Sequence, residues 1–239
     1  VQIQFSINKD IATIMLDTSG IALHKRGYRK VANLAPIRET LAAGILDIAR
    51  IYPDTQLYDP FCGSGTFLIE AAYKAKNIAP GIYRRFAAEK WDSLPSKIWQ
   101  TSREEAIEKI RKDIEFTAFG SDISQDSLEI AEANARRAGI SGLIRLEKTD
   151  VKNFTIPDRK SLVVTNPPYG ERLMNGEDLT KLYQTMGNVF QPSQQTAYYI
   201  ISSAEDFEQG FGRKANKKRK LYNGMLKCNL YQYFAQKSK

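Results

Sequence analysis

The sequence predicts an α/β fold built on a doubly wound, mostly parallel sheet that ends in an antiparallel hairpin. Three observations carry that prediction. Strand-length apolar runs alternate with helical-period segments from Gln56 onward, a glycine turn directly follows the first of those strands, and the last apolar runs flank an Asn-Gly pair. Regular strand–helix alternation implies parallel strands joined by right-handed crossovers. A closing Asn-Gly hairpin on such a sheet is unusual and therefore informative.

The elements follow in order. Val1, Ile3, Phe5 and Ile7, then Ile11 to Leu16, alternate around Asn8-Lys9-Asp10, which reads as a hairpin. Residues 32–51 carry Leu34, Ile37, Leu41, Ile45 and Ile48 at helical spacing and stop before Pro53. Strands are predicted over 56–59, 117–121, 143–148, 161–165 and 196–202, with helices over 66–75, 124–138 and 179–190. Residues 78–116 form an insertion with Arg84, Arg85, Trp91, Trp99 and a charged helix from about Ser102; core packing is the expected use of both tryptophans. Residues 218–222 and 225–234 read as the two strands of the last hairpin, turning at Asn223-Gly224. This divides the chain into a leading hairpin and helix (1–52) and a main domain (53–239). Val1 opens inside a strand-like pattern, so a further domain is expected upstream.

Composition narrows the function. The 239 residues are 42% hydrophobic and 26% charged, as in ordinary globular domains. No apolar run is long enough for a membrane-crossing helix, and no secretion leader is present, so a cytoplasmic protein with no membrane partner is expected. Cys62 and Cys228 sit in unrelated contexts, which argues against a disulfide scaffold and fits a reducing compartment. With His24 the only histidine, no metal site is expected. The 35 basic against 27 acidic residues give a formal charge of +8, favouring polyanions. Arg213, Lys214, Lys217, Lys218, Arg219 and Lys220 form one basic cluster, and HKRGYRK (His24 to Lys30) supplies Lys25, Arg26 and Arg29 to another. Either cluster alone reads equally well as a solvated loop. Two of them flanking one core point to nucleic acid.

The first motif is LYDPFCGSGTFLIEAA (Leu57 to Ala72). Gly63 and Gly65 accept positive φ and let a ligand approach the backbone, while the helix N-terminus offers unpaired N–H groups. Thr66-Phe67 excludes a phosphate-binding loop, which wants Lys then Ser or Thr there, and the third glycine of a dinucleotide fingerprint is missing. Asp59 suits a ligand carrying an ammonium group, such as the methionine end of S-adenosylmethionine. Asp122 in FGSDIS and Asp150 in KTDVKNF end the next two predicted strands. They suit ribose hydroxyls and an adenine amino group, with the N–H after Asp150 reaching a ring nitrogen. Each feature also has a plainer reading, the glycines as a tight turn and the acids as caps or turn formers.

The strongest motif is VVTNPPYGERL (Val163 to Leu173), directly after a strand. Pro167 and Pro168 stiffen the backbone and supply no N–H. The Asn166 oxygen and a proline carbonyl can then accept both hydrogens of an exocyclic amine and aim its lone pair at a methyl group. Tyr169 offers a face on which an extruded base can stack. A rigid turn ending a strand is the plainer alternative.

Taken together, DPFCGSGT, SDIS, TD and NPPYGERL, with HKRGYRK and APIRETLAAG ahead of them, resemble the bacterial THUMP-associated RNA methyltransferases. The resemblance covers essentially the whole chain. It implies a Rossmann-like class I methyltransferase sheet of seven strands, S-adenosylmethionine as cofactor, and transfer to guanine N2 in 23S rRNA, with relatives acting on tRNA. It also implies an RNA-binding THUMP domain upstream. Carried over by position, the cofactor set is Asp59, Pro60, Phe61, Cys62, Gly63, Gly65, Thr66, Asp122, Ile123, Asp150 and Val151. Asn166, Pro167, Pro168 and Tyr169 hold the target base, and Lys25, Arg26, Arg29, Arg213, Lys214, Lys217, Lys218 and Arg219 face RNA. Two rival readings share the Asn-Pro-Pro-Tyr chemistry. An adenine-N6 methyltransferase of DNA needs a large target-recognition segment, which the residues after Tyr169 do not supply. A protein glutamine methyltransferase has no use for the basic clusters. A non-enzymatic RNA-binding relic of the fold conflicts with the intact motifs.

Overall fold

Alternating side chains shape the first element of the computed structural model, which describes residues 1–29, 36–169 and 176–236. Strands β1 (Gln2–Asn8) and β2 (Ile11–Asp17) pair antiparallel in a two-stranded sheet of their own. Lys9 and Asp10 make the reversal with positive φ, as a two-residue hairpin requires. Paired residues share a face, so Ile3, Phe5, Ile7, Ala12, Ile14 and Leu16 line one side of it, all exposed.

Helix α1 (Glu39–Ala49) is shorter than its apolar period predicts. Residues 32–35 of that expectation lie outside the described residues. Arg38, immediately before the helix, is extended at φ −68° and ψ 139°, and Ile37 is buried. The apolar spacing therefore runs on past the helix start, into a segment that packs without being helical. Ile45 and Leu46 share a core with Leu57 and Phe67, so α1 is part of the layered domain.

From Gln56 the chain winds as predicted: β3 (Gln56–Asp59), α2 (Thr66–Ala75), α3 (Ser96–Glu108), β4 (Ala118–Asp122), α4 (Gln125–Arg137) and β5 (Ile144–Lys148). Then come β6 (Ser161–Thr165), α5 (Gly176–Val189), β7 (Thr196–Ser202), α6 (Phe207–Phe211), β8 (Lys217–Asn223) and β9 (Leu226–Tyr233). The seven-stranded sheet has the order β5-β4-β3-β6-β7-β9-β8. Its first five strands are parallel, and β9 runs antiparallel to both neighbours, giving the expected terminal hairpin. That hairpin turns at Gly224 and Met225, one position later than expected, because Asn223 still pairs with Leu226. The charged helix of the insertion begins at Ser96, ahead of the expected Ser102. Trp99 stacks on Phe86 with ring centroids 5.6 Å apart, and the Arg84 guanidinium lies over the Phe86 ring, so Trp99 is a packing residue.

All five residues of β6 are buried, and its three central positions, Leu162, Val163 and Val164, are accordingly apolar. Leu162 and Val164 face one layer with Leu68, Ile69 and α1; Val163 faces the other with Met186, Phe190 and Tyr198. Each such side chain, fully buried, contributes roughly 1.5–3 kcal/mol. From β3 the chain winds outward through β4 and β5, then returns to β6 and winds the other way. The reversal leaves a crevice at the carboxyl ends of β3 and β6, the usual ligand position in a doubly wound sheet.

Candidate functional site

The glycine turn opens that crevice. Gly63 and Gly65 both have positive φ, 50° and 79°. Gly65 starts α2, and a Cβ there would lie 3.2 Å from that of Ala131. The turn is tied to its neighbours: Cys62 N–H donates to Ser121 O at 3.0 Å, Gly63 N–H to Asp122 Oδ2 at 3.0 Å, and Asn134 Nδ2 to Ser64 O at 3.0 Å. On the sheet side, Gly120 of β4 lets α2 settle closely, since a Cβ there would collide with Leu68 Cδ1.

Three acids end successive strands or the turns after them. Asp59 is 2% exposed, and its Oδ1 accepts from Thr165 Oγ1 at 2.7 Å and Phe61 N–H at 3.2 Å. Burial pushes its carboxyl up to about 7, with nearby Asp122 adding to the effect and the two donors opposing it. Asp122 also accepts from Ser124 N–H at 2.9 Å, so each of its oxygens already holds one backbone N–H. Asp150 accepts from Lys152 N–H at 3.0 Å and sits 3.4 Å from the Lys152 ammonium. All three thus do the capping and turn work of the plainer reading. A carboxylate has about four acceptor sites, so capacity remains on each.

At the end of β6, Asn166 carries a side-chain oxygen that is buried with no hydrogen-bond partner. Pro167 and Pro168 follow, and the Tyr183 hydroxyl donates to Pro168 O at 3.4 Å. Tyr169 departs from expectation. Its ring is 6% exposed, its hydroxyl faces Asn223 and Cys228 of the terminal hairpin, and burial raises that hydroxyl to about 12. It is a wall of the site more than an open platform.

One cavity of about 600 Å³, within the usual range for ligand sites, brings these residues together. Asp59, Pro60, Phe61, Cys62, Gly63, Thr66, Asp122, Ile123, Asp150, Val151, Asn166, Pro167, Pro168 and Tyr169 all line it; of the expected set only Gly65 does not. Sequence reasoning missed two walls. Pro36 and Ile37 form one, and Asp178, Lys181, Leu182 and Thr185 form the other, along one face of α5. Their spacing was visible but resembles that of any amphipathic helix.

The basic residues divide. Arg26 pairs with Glu70 at 3.4 Å, and Arg29 with Glu39 at 2.6 Å; both carboxylates are almost fully buried. Arg29 also donates to Ile37 O at 2.9 Å and Thr66 Oγ1 at 3.4 Å, and Tyr28 donates to Glu70 at 2.9 Å. The expected nucleic-acid face at these two arginines is instead a clasp, turned inward because two buried carboxylates need counter-charges. Arg213 is likewise engaged: it donates to Phe190 O and lies over the rings of Phe211 and Tyr233. Lys218 pairs with Glu208 at 2.7 Å. Lys25, Lys214, Lys217 and Arg219 are exposed, the last two on the sheet's edge strand. Among the described residues, no group of three or more His, Cys, Asp or Glu could hold a metal ion, and no helix is long and apolar enough to cross a membrane.

Comparison with known proteins bears on this geometry. YpsC of Bacillus subtilis (strain 168), provisionally named an RNA methyltransferase, is 44% identical over 235 residues, covering 98% of this chain and 61% of that protein. The ribosomal RNA large subunit methyltransferase K/L of Psychromonas ingrahamii is 42% identical over 233 residues, covering 94% of this chain and 31% of the relative. The crystal structure of SMU.472, provisionally assigned as a methyltransferase and complexed with SAH, superposes with a TM-score of 0.92 at 43% identity, covering 99% of this chain and 62% of that one. The chain therefore spans about three-fifths of the first relative and under a third of the second. Residues 26–232 match the family model described as RMKL-like, methyltransferase domain, and the chain belongs to that family.

Proposed function

We propose that this chain transfers a methyl group from S-adenosylmethionine to the exocyclic N2 of a guanine in RNA, with 23S rRNA as the substrate. The observation that carries the reading is the buried, unpartnered Oδ1 of Asn166, at the carboxyl end of β6 in the same cavity as Asp59 and Asp122. A buried acceptor without a donor is costly and marks a position built for an incoming group. The cofactor fits the other residues. A buried carboxyl near 7 becomes a carboxylate when a cation arrives, which suits the methionine ammonium at Asp59. Asp122 takes the ribose hydroxyls, Asp150 and the Val151 N–H take the adenine, and the left-handed glycine turn leaves room for the chain between them. SAH bound in a 43% identical structure supports this use of the fold.

S-adenosylmethionine supplies a methyl already activated on a sulfonium, so the protein's task is alignment. Asn166 Oδ1 and the Pro167 carbonyl accept the two N–H bonds of the amine and direct its lone pair. No strong base is needed beforehand, which is consistent with a cavity that holds no histidine. Exposed Lys217 and Arg219 on the edge strand and the +8 charge favour a polyanionic substrate. The names of the two relatives point to RNA.

The test is transfer from methyl-tritiated S-adenosylmethionine to rRNA, tRNA, DNA and protein, with the rRNA taken from a strain lacking the gene. After nuclease digestion, the label is expected in N2-methylguanosine from the rRNA. Label in N6-methyladenosine would replace the guanine assignment, and label confined to protein would overturn the RNA reading.

A further inference from the structure

Strand register carries the terminal hairpin past the rest of the sheet. β7 ends at Ser202, opposite Asn229, yet β8 and β9 continue through Leu221↔Cys228, Tyr222↔Lys227 and Asn223↔Leu226. At about 3.4 Å per residue, the tip stands roughly 10 Å beyond the carboxyl edge of β7. That is the edge on which Asp59 and Asn166 sit. The tip is anchored to the cavity wall. Asn223 Oδ1 accepts from Arg38 N–H at 3.2 Å, and its Nδ2 donates to Pro36 O at 3.5 Å. Pro36, Ile37 and Tyr169 line the cavity, and the Tyr169 hydroxyl faces Asn223. The hairpin tip therefore borders the half of the cavity assigned to the target base.

Its apex is apolar. Gly224 turns at φ +68°, and Met225 is 97% exposed, more than any other large apolar side chain described. Tyr222 is 54% exposed, with the Lys220 ammonium 5.5 Å from its ring centre and Lys227 paired across from it on the same face. A tight turn normally displays polar residues. Here it presents a methionine with an aromatic ring and two ammonium groups on its flank.

We propose that this tip is a wedge that enters the RNA stack where the target guanine has left it. The inference rests on the RNA-methylation reading. A stacked guanine cannot present N2 to a buried Asn166 oxygen and has to be extruded. Extrusion leaves a gap in the stack, and Met225 fills it in the way apolar wedges enter base steps. Tyr222 stacks on the neighbouring base, while Lys220 and Lys227 meet the backbone phosphates.

The experiment compares wild type, Met225→Ser and Met225→Leu on two probes made from the rRNA of a strain lacking the gene. One probe is the folded rRNA and the other its short, heat-denatured fragments. Met225→Ser should lower kcat/KM on folded rRNA by on the order of tenfold, the scale set by the cost of unstacking a base. It should change little on the fragments, where the base is already free. Met225→Leu should restore most of the loss, and S-adenosylmethionine affinity should be equal in all three proteins. Equal rates of Met225→Ser and wild type on folded rRNA would overturn the wedge while leaving RNA methylation standing. An equal loss on both probes, or weakened cofactor binding, would also overturn it. No transfer to RNA by wild type would remove the reading beneath it.

Discussion

Replacing Asp59 with Asn separates what this carboxylate does for the site from what it costs the fold. The substitution keeps an oxygen able to accept from Thr165 Oγ1 and Phe61 N–H and removes the charge. Burial lifts the carboxyl from 3.8 to about 7. The folded protein therefore keeps this proton over a pH range in which the unfolded chain has released it. Below 3.8 the group is neutral in both states and costs nothing. Between 3.8 and about 7 its contribution to stability falls as pH rises, and above 7 the penalty is complete. At about 1.4 kcal/mol per pH unit, the full penalty is on the order of 4 kcal/mol. The stability of Asp59→Asn relative to wild type should thus grow by about that much from pH 4 to pH 8. Urea unfolding followed by tryptophan fluorescence across that range measures the difference, and titrating groups not coupled to Asp59 cancel in it. The variant should also bind S-adenosylmethionine roughly ten- to a hundredfold more weakly, having lost a charge-assisted hydrogen bond to the ammonium. Wild-type affinity should rise with pH up to about 7 and then level off. A stability difference that does not change with pH would refute the claim of a buried, charge-poised Asp59.

Other perturbations test separate parts of the account. Asn166→Ala should lose on the order of 10²–10³ in kcat while calorimetry finds cofactor affinity unchanged, because an acceptor for the amine is removed and no cofactor contact is; near-normal turnover would free Asn166 of its role. Asp122→Ala should weaken cofactor binding first, and an unchanged Kd would take Asp122 out of the ribose site. Arg29→Ala leaves buried Glu39 without its counter-charge and should destabilise the fold by about 3–5 kcal/mol in urea unfolding, with the RNA affinity of the folded protein unaltered. Gly120→Ala drives a methyl against Leu68 and Leu146 and should cost about 1–3 kcal/mol by the same measurement.

The strands were legible because buried apolar runs bounded by turn chemistry leave little freedom. Ser161–Thr165 and Thr196–Ser202 fall where the sequence puts them. The start of α1 was not legible, since Ile37 continues an apolar period in a segment that packs without being helical. Five-residue α6 is too short to show a period at all. In the site, the glycines, acids and Asn166 stood out because their chemistry is unusual at a strand end. Asp178 and Lys181 did not, being ordinary residues on an amphipathic helix. Arg26 and Arg29 read as surface charge because their partners, Glu70 and Glu39, lie 44 and 10 positions away. A signal did exist in Glu70 itself, a lone acid among Phe67, Leu68, Ile69, Ala71 and Ala72, all buried. An acid placed so deep needs a hydrogen-bond donor or a cation, and the basic segment at Arg26 supplies the cation here.

The most direct test of the central claim is nucleoside mass spectrometry on rRNA, tRNA and DNA from a strain lacking the full-length gene, complemented with wild type or Asn166→Ala. N2-methylguanine should disappear from rRNA and return with wild type but not with the variant. N2-methylguanine unchanged in every fraction would contradict the guanine assignment, and no change in any methylated nucleoside would contradict the proposed transfer to nucleic acid itself.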